Sequence, residues 1–169
     1  MWLPDALAPF ANSPSGWTIL TALIIWVSRE RTLPSAAFGA ASFVSLVLGY
    51  QLVSDLRGYP DSEEFFLVAA VVVGPFIGAA ASWVRRRGFR GALGCGVLAG
   101  AVLGDALSGL VRVEATTGWF YWTLVGALAL LIATFVAAKR MTTIRDRALT
   151  GGTTLGVAAA IILAFELLG

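Results

Sequence analysis

The chain of 169 residues has no histidine, one cysteine, one lysine and only 13% charged residues. Without histidine, the commonest general base and the commonest metal-binding side chain are both missing, which removes the usual nucleophile–base pairs and the histidine metal motifs. Cys95 alone forms neither an intrachain disulfide nor a thiol metal cluster. There is no Gly-rich phosphate loop followed by Lys and Ser or Thr. These absences call for no cofactor and no metal. The start, MWLPDALAPFANSPSG, lacks a basic n-region and a following cleavage site, so it does not read as a signal peptide. The scarcity of charge also excludes an ordinary soluble domain. With 58% hydrophobic residues and a mean hydropathy of +0.83, the chain reads as one all-α integral membrane domain over residues 1–169.

What charge there is falls in a pattern. Ten of the twelve Lys and Arg residues lie in three clusters: Arg29 and Arg31; Arg85, Arg86, Arg87 and Arg90; and Lys139, Arg140, Arg145 and Arg147. Only Glu30 and Asp146 accompany them, so this side carries a net +8; Arg57, Arg112 and the other eight acids give the opposite side −6. Basic residues near helix ends stay cytoplasmic, which predicts six crossings of a bacterial plasma membrane with both termini outside and the basic loops inside. The basic excess then faces anionic lipid, and nucleic-acid binding is not indicated.

The spans fall at about 13–30, 34–54, 63–84, 88–111, 118–138 and 148–168. The first is short of the roughly 20 residues that cross a bilayer straight. Either Arg29 and Arg31 snorkel, or the segment from Trp2 to Phe10 sits at the outer interface. Pro75 predicts a kink in the third span. The chain reads as three helical hairpins, each turning at a basic loop.

Small residues recur at i, i+4 spacing in the three returning spans: Ala41, Ser45 and Gly49; Gly96, Gly100, Gly104 and Ser108; Gly152, Gly156, Ala160 and Ala164. Gly74, Gly78 and Ser82 continue the pattern in the third span. Such ridges let backbones approach closely, a main source of helix association in lipid. They predict either a pseudo-threefold bundle around the second, fourth and sixth spans, or ordinary pairwise contacts.

Beyond each ridge, near its outer end, stand polar or aromatic residues: Tyr50 and Gln51, Asp105, and Phe165 and Glu166. Asp105 is the sharpest, because it lies seven residues inside Arg112, about 10 Å of helix rise. A carboxylate at that depth needs a partner or a water-filled cavity. Ser108 and Arg112 share its helix face and offer a structural tie; the alternative is a ligand or proton site, with Glu166 in the same outward vestibule. Asp55, Asp61, Glu63, Glu64 and Glu114 form an acidic rim that would enrich cations, although Glu63 and Glu64 also suit the start of a helix. Trp17, Tyr59, Phe65, Phe66 and the run Trp119 to Trp122 lie at the same level as an interfacial belt, with at least one ring of that run expected to face inward.

Two resemblances add to this. Gly49 and Tyr50 closing the second span, GPFIG at Gly74 to Gly78, the arginine-rich loop and GDAL at Gly104 to Leu107 resemble a family of small actinobacterial multi-pass membrane proteins built on a domain of unknown function. Eleven Arg against one Lys suits a GC-rich genome. In size and span count the chain is also similar to the substrate-binding subunits of energy-coupling-factor vitamin importers. Those dock their partner through small residues on the first helix, where this chain has only Thr18, Thr21 and Ala22. The leading expectation is a small-molecule or cation binding and transport protein with an outward polar vestibule, working as a homo-oligomer or with other membrane subunits. The alternative is a non-transporting structural or accessory subunit. Chemistry on a lipid-soluble substrate would rest on Asp105 or Glu166 as a general acid alone, so the reading leans away from an enzyme.

Overall fold

The computed structural model describes residues 8–58, 64–112 and 118–168, which form seven helices. They are α1 (Ala8–Ala11), α2 (Pro14–Ser28), α3 (Thr32–Leu56), α4 (Glu64–Trp83), α5 (Gly88–Arg112), α6 (Trp119–Arg140) and α7 (Ile144–Leu168). By length and composition, the five helices α3 to α7 are able to cross a membrane. Their outward faces carry large apolar side chains such as Leu52, Val72, Phe76, Leu131, Phe135 and Leu163. This suggests membrane insertion.

The expected first span is the exception. It forms α2, 15 residues long, about 22 Å against a hydrocarbon core of about 30 Å. Both ends are set locally. Ser13 caps the start by accepting the Gly16 N–H at 3.1 Å, and Pro14 occupies the first turn, where its missing N–H costs nothing. Arg29 ends it in the left-handed region at φ 60°, with its N–H bonded to Ile25 O.

α5 is the hub. Two-thirds of its apolar window is buried, against 17% for α3 and for α7, and it packs on α7, α6, α4 and α2. Its composition explains this, because small residues face almost every direction. At Gly94 an added Cβ would stand 2.5 Å from Ala80 O of α4, and at Gly109 it would strike the Trp122 indole of α6. Along the α7 side, the same atom at Gly96 would lie 2.7 Å from Thr153 Cβ, at Gly100 2.6 Å from Thr154 O, and at Gly104 2.9 Å from Ile161 Cβ. The second extensive pair is α3 with α4, where Gly39, Gly74 and Gly78 bring the two backbones together. Pro75 lies within α4 without ending it.

Of the two packing arrangements the ridges allow, the structure has the pairwise one. The extensive contacts are α3 with α4 and α7 with α5, and where α3, α5 and α7 meet at Phe43, Ala101 and Ile161 the cluster also includes Trp17 of α2 and Ile77 of α4, so no threefold bundle of the three forms. Across the basic loops the contact is uneven: α4 packs on α5 and α2 on α3, while α6 and α7 touch only slightly, and the strongest pairs are α5–α7 and α3–α4. On α3 and α7 the small-residue ridge turns outward. Gly49, Gly152 and Gly156 have nothing within 4 Å of an added Cβ, and Ala41, Ser45 and Ala160 are exposed. The inward faces are Ser35, Gly39, Phe43 and Val47 on α3 and Thr150, Thr154 and Ala158 on α7. Threonine is tolerated there because Thr154 donates to Thr150 O at 2.8 Å and Thr150 to Asp146 O at 3.0 Å, with the Thr150 hydroxyl also 3.4 Å from Ala92 O of α5.

Candidate functional site

Asp105 is 4% exposed. α5 carries it to the start of α2, where its Oδ2 accepts the Ser15 backbone N–H at 2.8 Å. The first N–H groups of a helix have no partner of their own and carry partial positive charge. Asp105 is thus a cap supplied from another helix. A chain of hydroxyls continues from it: Ser15 Oγ lies 3.0 Å from Ser13 Oγ, which lies 2.8 Å from the Tyr121 hydroxyl of α6. One buried polar string ties α5, α2 and α6 together.

The expected tie to Ser108 and Arg112 does not form. Ser108 is buried with no hydrogen-bond partner. Arg112 instead pairs with Glu166 of α7 at 3.0 Å. Glu166 does not line the Asp105 cavity, where Ile161, Ala164 and Phe165 are the α7 residues.

Asp105 forms part of the wall of a cavity of about 120 Å³ between α2, α3, α4, α5 and α7. Trp17, Phe43, Phe66 and Phe165 supply its aromatic surface, and Thr18 is its other polar residue. A second cavity of about 120 Å³ adjoins it and shares Pro14, Trp17, Val47 and Phe66. Tyr50, Gln51 and Asn12 stand at this outer one, and the Tyr50 ring tilts against Trp17 at 6.3 Å. Tyr50 and Gln51 therefore line the cavity next to the one that Asp105 lines. Asp55 and Glu64 are exposed at helix ends and line neither cavity. Asp61, Glu63, Glu114 and Tyr59 lie outside the described residues, as does the placement of the Phe65 side chain. Of the run Trp119 to Trp122, Trp122 is buried, but onto Gly109 rather than into a cavity.

With this geometry in view, the match to a family of unknown function, DUF6518, runs over residues 1–169. The chain belongs to the DUF6518 family. No curated protein and no solved structure matches it.

Sequence reasoning missed Ser13, Ser15 and Tyr121. Ser-Pro-Ser at residues 13–15 is a helix-start signal, yet nothing in it names a carboxylate 90 residues away as the partner.

Proposed function

We propose that this DUF6518 protein binds a small organic cation, an amine or ammonium compound with an apolar body, in the cleft that runs from Tyr50 and Gln51 to Asp105. The observation that carries the reading is a buried carboxylate at the end of two adjoining aromatic cavities, with no basic side chain in ion-pair distance among the described residues. A carboxylate with one oxygen on a helix N-terminus keeps lone pairs for a ligand N–H, and aromatic faces attract cations. Among the described residues no three His, Cys, Asp or Glu side chains cluster, so the chemistry favours an organic cation over a bare metal ion.

The setting is a bacterial plasma membrane, with the basic loops cytoplasmic, the cleft facing outward, and α2 completing six crossings. The arginine bias of the chain supports the actinobacterial side of the resemblance. Binding and release across the bilayer make transport the activity to test. A second reading, an accessory subunit or homo-oligomer, draws on one specific observation: the open small-residue faces of α3 and α7 at Gly49, Gly152 and Gly156 are suited to close approach by a partner helix.

The test is thermal stabilisation of the purified protein in detergent by a panel of small ammonium compounds. At least one should raise the melting temperature of the native chain, and Asp105→Asn and Ala69→Phe should each remove that response. No stabilisation by any member of the panel, or a response that survives both substitutions, would reject the site.

A further inference from the structure

On the other side of α2 lies a second hollow of different character. α2 and α6 are joined at the acidic end by the Ser13–Tyr121 hydrogen bond but make no extensive contact below it. α5 forms the floor between them. The result is an open groove of about 420 Å³, walled by Leu23 and Trp26 of α2, Leu98 and Val102 of α5, and Leu128 and Ile132 of α6, with Thr18 the most polar residue in its lining. Its length along α2, from Thr18 to Trp26, is about 12 Å at 1.5 Å per residue. Leu23, Trp26, Leu128 and Ile132 remain about half exposed at its rims, so it opens sideways, toward whatever surrounds the helices.

The basic end of the groove is chemically distinct from the rest. Arg85 Nη1 lies 3.4 Å from Trp26 O, and Arg140 Nη1 lies 3.3 Å from Val84 O; Trp26 and Val84 both line the groove. Two guanidinium groups are thereby held at the same mouth by backbone carbonyls. Each has five N–H donors and spends one on its carbonyl, leaving the others for phosphate oxygens. Arg29 and Arg31 follow Trp26 in sequence at the same end.

We infer that this groove holds an anionic phospholipid of the leaflet on the basic side, one acyl chain along α5 and the phosphate on Arg85 and Arg140. Charge complementarity selects the occupant: an apolar slot ending in two anchored guanidiniums matches a lipid that is apolar along its length and negative at its head. A helix from a second copy would fill the slot but leave that positive mouth unanswered. The groove shares only Thr18 with the Asp105 cavity, and neither Arg85 nor Arg140 lines that cavity, so the lipid test reads residues the proposed ligand does not touch.

The experiment is native mass spectrometry of the full chain from mixed micelles holding equal phosphatidylglycerol and phosphatidylcholine with matched acyl chains. The native chain should retain phosphatidylglycerol about tenfold over phosphatidylcholine. Arg85→Gln with Arg140→Gln should erase that preference. Arg145→Gln with Arg147→Gln removes the same charge from α7, which supplies no groove residue, and should keep it. Ala22→Phe should lower retention of both lipids, because Ala22 is only partly buried and lines the groove, so the added ring fills the slot without entering the core. Equal retention of the two lipids by the native chain would overturn the inference. So would equal losses from the two arginine pairs, which would mean diffuse attraction, or undiminished retention by Ala22→Phe. Full competition by inorganic phosphate would assign the mouth to a free anion, and a dimer abolished by Ala22→Phe would assign the slot to a second copy; either result also overturns it.

Discussion

The chemistry of Asp105 is decided by what the residue meets 90 positions earlier in the chain. Its Oδ2 receives the Ser15 N–H, so what matters to the fold is an oxygen acceptor at the α2 start more than a negative charge. Asp105→Asn keeps that acceptor and should shift the melting temperature little. Asp105→Ala leaves a buried N–H unpaired and should cost about 1–3 kcal/mol. Equal melting temperatures for the two variants would mean that the cap carries no weight. Arg112 and Glu166 form the complementary case. Their side chains are 35% and 60% exposed, so a double-mutant cycle with Arg112→Gln and Glu166→Gln should return a coupling of about 0.2–1 kcal/mol, fading with salt. Coupling between Arg112 and Asp105 in place of Glu166 would contradict the pairing. In the sequence, depth alone singled out Asp105 and called for a partner or a water-filled cavity. The partner was illegible, because a backbone N–H leaves no mark in the residue type that bears it, and the nearer Arg112 offered itself at helical spacing.

At the scale of helices, glycine spacing located α5 but misdirected α3 and α7. α5 is lined with small residues on several faces, so any choice of ridge finds a neighbour. α7 carries two faces of small residues at the same i, i+4 spacing, whereas on α3 the inward face continues from Ser35 and Gly39 into Phe43 and Val47, so the small-residue ridge alone did not mark the packed side. On α7 the glycine face stays open and the threonine face packs, because threonine hydroxyls are satisfied within their own helix. Gly100 and Gly156, one from each kind of face, separate packing from intrinsic propensity. Gly100→Ala forces a methyl against Thr154 O and Val157 Cβ and should destabilise the protein by about 1–3 kcal/mol. Gly156→Ala meets open space and should be neutral or stabilising by up to about 1 kcal/mol, since alanine favours helix. Thermal unfolding in detergent measures both. A loss at Gly156 equal to that at Gly100 would place a partner helix on the outward face of α7.

For the whole molecule, the short α2 and the Asp105 cap are one feature seen twice. Asp105 lies seven residues inside Arg112 on α5, about 10 Å below the acidic end. α2 starts at that level and, about 22 Å long, ends where Arg85 reaches the Trp26 carbonyl. The two lengths together approximate the hydrocarbon thickness of about 30 Å. Were α2 to begin below the headgroups, its first N–H groups would need protein partners, and Ser13 and Asp105 supply them. Helix length alone suggests five crossings, which would leave the two ends of the chain on opposite sides. In the six-crossing arrangement that we propose, α2 is the additional span and its approach lies on the acidic side. Single cysteines in a Cys95→Ser background distinguish the two counts. Ser13 is buried and bonded and cannot report, whereas Asn12, Asp55 and Thr142 are exposed. Asn12→Cys and Asp55→Cys should react with an impermeant thiol reagent added to intact cells, and Thr142→Cys only after permeabilisation. If Asn12→Cys behaved like Thr142→Cys, α2 would not carry the chain across, and the buried start of α2 would need an explanation other than membrane depth.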